Sequence, residues 1–182
     1  MDLQISEYEL SKHLDMQSIY NMMLEEMKSF DSYTSDILNA QLDKHLEDYN
    51  DEIQKYSAGG KVNEVKKEYL RIVTGTELIE KRNEYYEKRA KLIKEWERNN
   101  DQVWPRYADK VVYGEGKPIR EKGMRYDIHH VIPLGIGGYN TSENITPIHV
   151  LNHGEHCGGY GLHREGGPYA ELRAILERGV QI

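Results

Sequence analysis

Proline placement divides this chain. All five prolines (Pro105, Pro118, Pro133, Pro147 and Pro168) lie after residue 100 of 182. Proline inside a helix removes an N–H and clashes with the preceding turn. The first hundred residues are therefore free to run as long helices, and the rest are not. Thirteen of the 16 glycines and six of the eight histidines share the proline-containing part; only Gly59, Gly60, Gly75, His13 and His45 fall outside it. Texture and chemistry thus change together near Asn99-Asn100-Asp101.

In residues 1–100 the series Leu42, Leu46, Tyr49, Ile53, Tyr56 steps by 4, 3, 4, 3, which lays one apolar stripe along a helix. Ser57-Ala58-Gly59-Gly60 ends it with C-terminal glycines. A second periodic stretch begins near Val62, with Leu78, Tyr85 and Leu92 at intervals of seven beside Ile79, Tyr86 and Ile93, and Trp96 close behind. Gly75 is expected to break it, with Thr76 as N-cap. Leu10 to Met27 also reads as helix, and Ser29 to Ser35 as a turn. Met16, Met22, Met23 and Met27 are expected to fill a helical core.

Whole-chain sums bound the rest. The 31 acidic residues against 24 Lys plus Arg give a net charge of -7, which argues against binding nucleic acid through overall basicity. No apolar stretch approaches the roughly 20 residues of a bilayer span, so no membrane span is expected. A single cysteine, Cys157, excludes an internal disulfide and a cysteine-rich zinc site. The opening MDLQISEYEL lacks a basic n-region and apolar core, so it does not read as a secretory signal. The charge is uneven: residues 1–100 hold 15 Lys plus Arg against 21 Asp plus Glu, net -6, and residues 101–182 hold 9 against 10, net -1. Arg106, Lys110, Lys117, Arg120, Lys122 and Arg125 against Asp109, Glu115, Glu121 and Asp127 leave residues 104–130 at net +2, a modest strip for phosphate contact.

After Trp104 short extended runs alternate with Gly and Pro. Val111 to Tyr113 and Tyr126 to Ile132 read as strands, Pro133 to Gly138 as a loop, and Asn144 to Thr146 as a second strand. Thr146-Pro147 reads as a helix start, with the helix continuing to about Cys157 and stopped by Gly158-Gly159. His129 and His130, adjacent on a strand, must face opposite sides. His149, His153 and His156, at i, i+4 and i+7 on the expected helix, would share one face. Neutral imidazoles there suit a transition-metal ion.

The ordered set His129-His130, Pro133, Gly137-Gly138, Asn144, His153 resembles the HNH, or ββα-metal, nuclease motif of endonuclease VII and colicin DNases. The blocks VWPRY, GKPIR, MRYDIHHVIPLGIGG, NITPIH and HREGGPY resemble the C-terminal nuclease domains of bacterial polymorphic toxins, including type VII-secreted LXG-like ones. The resemblance covers roughly residues 103–175 and implies an α+β chain. In that arrangement an all-α helical hairpin or bundle over 1–100 precedes a small ββα-metal nuclease domain over 101–182. The helical part would pack, tether or dock a partner.

The resemblance assigns roles residue by residue. His129 and His153 would bind one divalent metal ion (Mg, Mn, Ni or Zn). His130 would be the general base, a role imidazole suits because its reference pKa of about 6.5 is close to working pH. Asn144 would brace the loop and orient His130. For the third ligand the colicin-like spacing points to position 157, here Cys157; His156 is the favoured substitute and His163 the outsider. Arg125 and Arg164 are candidate phosphate clamps, and His149 and His163 candidate substrate contacts. The implied activity is DNA phosphodiester hydrolysis by a toxin effector. Such an effector is made in the cytoplasm, exported by a specialised secretion system or carrier, and neutralised at home by an immunity protein. A phage or mobile-element HNH nuclease and a non-catalytic zinc-stabilised binding module are the alternatives.

Overall fold

The computed structural model describes residues 7–113, 116–154 and 161–178, apart from the side chains of 7–15, 17, 30–32, 113 and 117. The chain is α+β, with a helical region followed by two small two-stranded sheets. Helix α1 spans Glu7–Tyr56 and α2 Gly75–Asn100. Strands β1 (Val111–Tyr113) and β2 (Lys117–Arg120) pair antiparallel, as do β3 (Asp127–His130) and β4 (Ile145–Ile148). Helix α3 covers Val150–His153 and α4 Pro168–Glu177. Two units result, Met1–Ala40 and Gln41–Ile182.

Within the first unit α1 is continuous through the expected turn at Ser29 to Ser35. Serine and threonine are tolerated inside a helix when nothing else competes for the backbone. Met16, Met22, Met23 and Met27 are 58–64% exposed, so they fill no core, contrary to the expectation; periodic apolar spacing buries nothing without a second surface to meet it.

Within the second unit the 42–56 stripe behaves as its spacing dictates. Leu42, Leu46, Tyr49 and Ile53 are buried in a core with Val65, Val131, Ile148, Leu162 and Leu172. Helix α2 serves a different core: Leu92, Ile93 and Trp96 pack with Trp104, Ile128 and Ile145, Trp96 meeting Trp104 edge to face at 4.9 Å. Ile79 and Tyr86, from the parallel heptad series, remain exposed. The expected helix from Val62 is absent. Residues 58–74 hold only one turn of 3₁₀ helix, at Lys67–Tyr69, and α2 starts at Gly75 with Thr74, not Thr76, at the N-cap position.

The β3–β4 pair supplies both cores, Ile128 and Ile145 one and Ile148 the other, and β3 pairs Ile128 with Pro147, His129 with Thr146 and His130 with Ile145. That register overrides the local helix-start signal at Thr146-Pro147. Thr146 is 1% exposed in the strand opposite His129, and β4 continues to Ile148. Helix α3 is consequently one turn, capped by His149 and closed at Gly154 in the left-handed region at φ 88. The expected run to Gly158-Gly159 ends outside the described residues.

Candidate metal centre and general base

The two faces of β3 set out the site. Alternation puts Asp127 and His129 on one face and Ile128 and His130 on the other. On the first face His129 meets His153 of α3 and His163. The three rings form a triangle with centroids 5.3, 5.2 and 5.0 Å apart. One ring nitrogen from each lies within 4.8 Å of the others.

His163 reaches this triangle through backbone bonds to α3. Leu162 N donates to Asn152 O at 2.9 Å and His163 N to His153 O at 3.2 Å. The approach requires glycine at 161: its φ is +91 and a Cβ there would stand 2.4 Å from Asn152 O. Leu162, fully buried, anchors the same segment in the core.

Two of the three imidazoles have a polar neighbour behind them. Tyr49 of α1 donates its hydroxyl to Val131 O at 3.2 Å and lies 3.1 Å from His129 Nε2. Burial pushes the Tyr49 phenol well above its ordinary 10, with Tyr169 and Glu52 adding to the shift, so it remains a neutral donor. With its proton on the Val131 carbonyl, the oxygen accepts from Nε2–H, and Nδ1 is left with the lone pair. Asp127 lies 3.5 Å from His153 Nδ1, which directs Nε2 of that ring to the triangle. Arg120 in turn holds Asp127 through paired bonds of 2.9 and 2.7 Å. Desolvation opposes the shift, yet the nearby His153 ring and the bonds from Arg120 leave the Asp127 carboxyl below its ordinary value.

Burial drives His129 well below the ordinary imidazole range, assisted by repulsion from His153, His163 and His130. His163 is lowered too, by desolvation and then by His153. Neutral imidazoles are what a cation requires of its ligands. Three nitrogen donors with carboxylate and hydroxyl groups behind them fit a divalent transition ion with an open fourth position. These three histidines can hold such an ion.

His130, on the opposite face, packs edge to face on Tyr85 of α2 at 5.0 Å. Its Nε2 lies 3.0 Å from Asn140 Oδ1. The Asn140 amide has no freedom to flip, because its Nδ2 donates to Lys81 O at 2.8 Å and to Glu84 Oε2 at 2.7 Å. His130 therefore carries its proton on Nε2, and Nδ1 is the basic atom. Burial brings its pKa down to about 4, against the opposing bond from Asn140, so the ring is neutral at physiological pH.

The sequence-based assignments redistribute on this frame. His129, His153 and His163 come together. His156 and Cys157 lie outside the described residues. His149 does not share a face with His153: its Nδ1 accepts from Leu151 N at 3.3 Å as the cap of α3, and its ring packs on Tyr107 and Tyr126 at 5.1 and 5.3 Å. Asn144 braces the loop, accepting from Ile132 N at 2.8 Å and donating to Ile132 O and Tyr139 O at 3.0 and 2.9 Å, but it is Asn140 that bonds His130. Gly138 permits this closure, since a Cβ there would stand 1.7 Å from Ile132 O. Arg164 is engaged by Glu52 of α1 through bonds of 2.8 and 2.5 Å. Arg125 is exposed and does not line the cavity at the histidines.

A cavity of about 410 Å³ opens on both faces of the arrangement. It is lined by all four histidines 129, 130, 153 and 163, by Tyr85, and by arginines that include Arg82 and Arg89. Tyr49, Asn140, Asp127, Arg82 and Arg89 were not singled out by sequence reasoning. For Tyr49 the signal was present as a hydroxyl within an apolar stripe, one it shares with Tyr56; for the others no local signal existed.

No family model matches the chain. It is similar to Toxin YxiD of Bacillus subtilis (strain 168), at 39% identity over 107 residues, which is 58% of this chain and 18% of that protein. The chain thus spans less than a fifth of its relative's length. No described helix is long and apolar enough to cross a membrane.

Proposed function

We propose that this chain is a metal-dependent endonuclease of the HNH, ββα-metal type that hydrolyses DNA phosphodiester bonds as a toxin effector. The observation that carries the reading is the pairing of two chemically different histidine sets across one strand. His129, His153 and His163 offer three ring nitrogens to one ion, while His130, one residue away, keeps a basic Nδ1 at the same cavity. A divalent cation at the triangle would act as a Lewis acid, stabilising negative charge on the phosphate and on the leaving 3′ oxygen. His130 Nδ1 takes the proton of the attacking water, and Asn140 holds the ring in the tautomer that permits it. Asp127 and Tyr49 fix the ligand rings, and the cavity arginines balance phosphate charge.

The toxin part of the proposal rests on the similarity to Toxin YxiD. It implies a cognate immunity protein in the producing cell, and export by a secretion system or carrier. Plasmid nicking, with parallel DNA and RNA oligonucleotides, tests the chemistry in Mg²⁺, Mn²⁺, Ni²⁺ and Zn²⁺. Wild type should cut plasmid and His130→Ala should lose at least about a hundredfold in rate, the usual contribution of a general base. Equal cutting would remove His130 from its role. No cutting in any metal would leave a metal-stabilised binding module.

A further inference from the structure

Arg82 and Arg89 stand seven residues apart on α2, two helical turns, and therefore on the same face. Both are exposed and both line the cavity that holds the four histidines. Tyr85, between them, is the residue on which His130 packs, so this face of α2 is fixed against the proposed base. Among the described residues, neither arginine has an ion-pair or hydrogen-bond partner. The other cavity arginines differ: Arg120 is held by Asp127, and Arg173 by Glu177 at 2.8 Å. Arg164, a clamp candidate on sequence grounds, is held by Glu52.

We infer that Arg82 and Arg89 are the phosphate-gripping pair of this protein, holding the nucleic-acid backbone on either side of the bond presented to the histidines. This rests on the nuclease reading. A guanidinium without an internal partner keeps its donors for a ligand, and its fork matches phosphate oxygens in bidentate fashion. Two turns of helix span about 10.5 Å, the scale of a few phosphate steps along one strand. The site thereby draws its positive charge from the half of the chain whose net charge is -6; local placement, not the sum, sets the potential a phosphate meets.

The test is binding of a fluorescent DNA duplex by the full chain in the His130→Ala background, followed by anisotropy across a salt series. Adding Arg82→Ala and Arg89→Ala together should weaken binding on the order of tenfold per arginine. It should also lower the slope of log K against log salt by about 2. Arg98→Ala, on the same helix but away from the cavity, should change neither. Both substitutions are at exposed positions, and an unchanged thermal melt verifies the fold. Normal binding with an unchanged slope in the double variant overturns the inference while leaving the nuclease reading intact. A parent that binds no DNA, together with a wild type that cuts nothing in any metal, overturns both.

Discussion

The Tyr49 hydroxyl lies 3.1 Å from His129 Nε2, joining residues eighty positions apart. Its place on the buried stripe of α1 makes that helix part of the candidate metal centre. Tyr49→Phe keeps the ring and removes only the hydroxyl. Loss of such an outer hydrogen bond should lower metal affinity about ten- to a hundredfold, read by competition with a chromophoric chelator. It should also cost about 1–3 kcal/mol of stability through the unpaired buried groups. Unchanged affinity would remove Tyr49 from that role.

The ligand set is tested directly. His163→Ala should abolish tight metal binding and with it the metal-induced rise in melting temperature, as should His129→Ala and His153→Ala. His156→Ala should retain both. The reverse result for positions 156 and 163 would return the third ligand to His156.

Two asparagines in one loop should separate by phenotype. Asn140→Ala frees the His130 ring to change tautomer, so it should lower kcat with little change in KM or melting temperature. Asn144→Ala removes three backbone contacts and should cost about 1–3 kcal/mol of stability. A purely stability-related effect at Asn140 would contradict the orientation argument.

Truncation should discriminate sharply within α1. Removing residues 1–40 leaves the unit Gln41–Ile182, and the shortened protein should keep its metal affinity. Removing residues 1–56 takes away Leu42, Leu46, Tyr49 and Ile53, each 8% exposed or less. Burial of such side chains contributes about 1.5–3 kcal/mol apiece, together comparable to a typical total stability of about 5–15 kcal/mol. That product should not fold cooperatively in a denaturant melt.

Tyr107 gives an alkaline signature. Its hydroxyl accepts from Val150 N, at the start of α3, at 2.9 Å, and burial raises its pKa from 10.0 to about 12. A phenol whose folded pKa lies above its unfolded value contributes stability that is intact below pH 10. That contribution is lost as pH rises toward 12. Denaturant midpoints measured across that window should fall for wild type and less steeply for Tyr107→Phe, which should also be less stable at neutral pH. Parallel slopes would contradict the assignment.

Local patterns determined a good part of this protein. The 4-3-4-3 stripe fixed which face of α1 is buried, because helical period alone decides it. Adjacency on a strand put His129 and His130 on opposite faces, because a strand alternates. The order strand, loop, strand, helix was legible from turn residues and β-branched runs. Local signals misled where two competed. Thr146-Pro147 has the chemistry of a helix start, yet pairing with His129 and Ile128 kept it extended, shortening α3 and turning His149 from a ligand-side residue into its cap.

Tertiary structure alone decided which faces meet. His163 enters the triangle because Gly161 lets the returning chain bond to α3. Asn140 rather than Asn144 reaches His130 because α2 supplies acceptors for its amide. Arg82 and Arg89 gain their place at the site from a helix whose own sequence carries no sign of it, and Tyr49 gains its place through the packing of the buried stripe of α1. Spacing along a chain specifies direction within an element. Contacts between elements far apart in sequence depend on how their buried surfaces fit, and that is settled only when the cores pack.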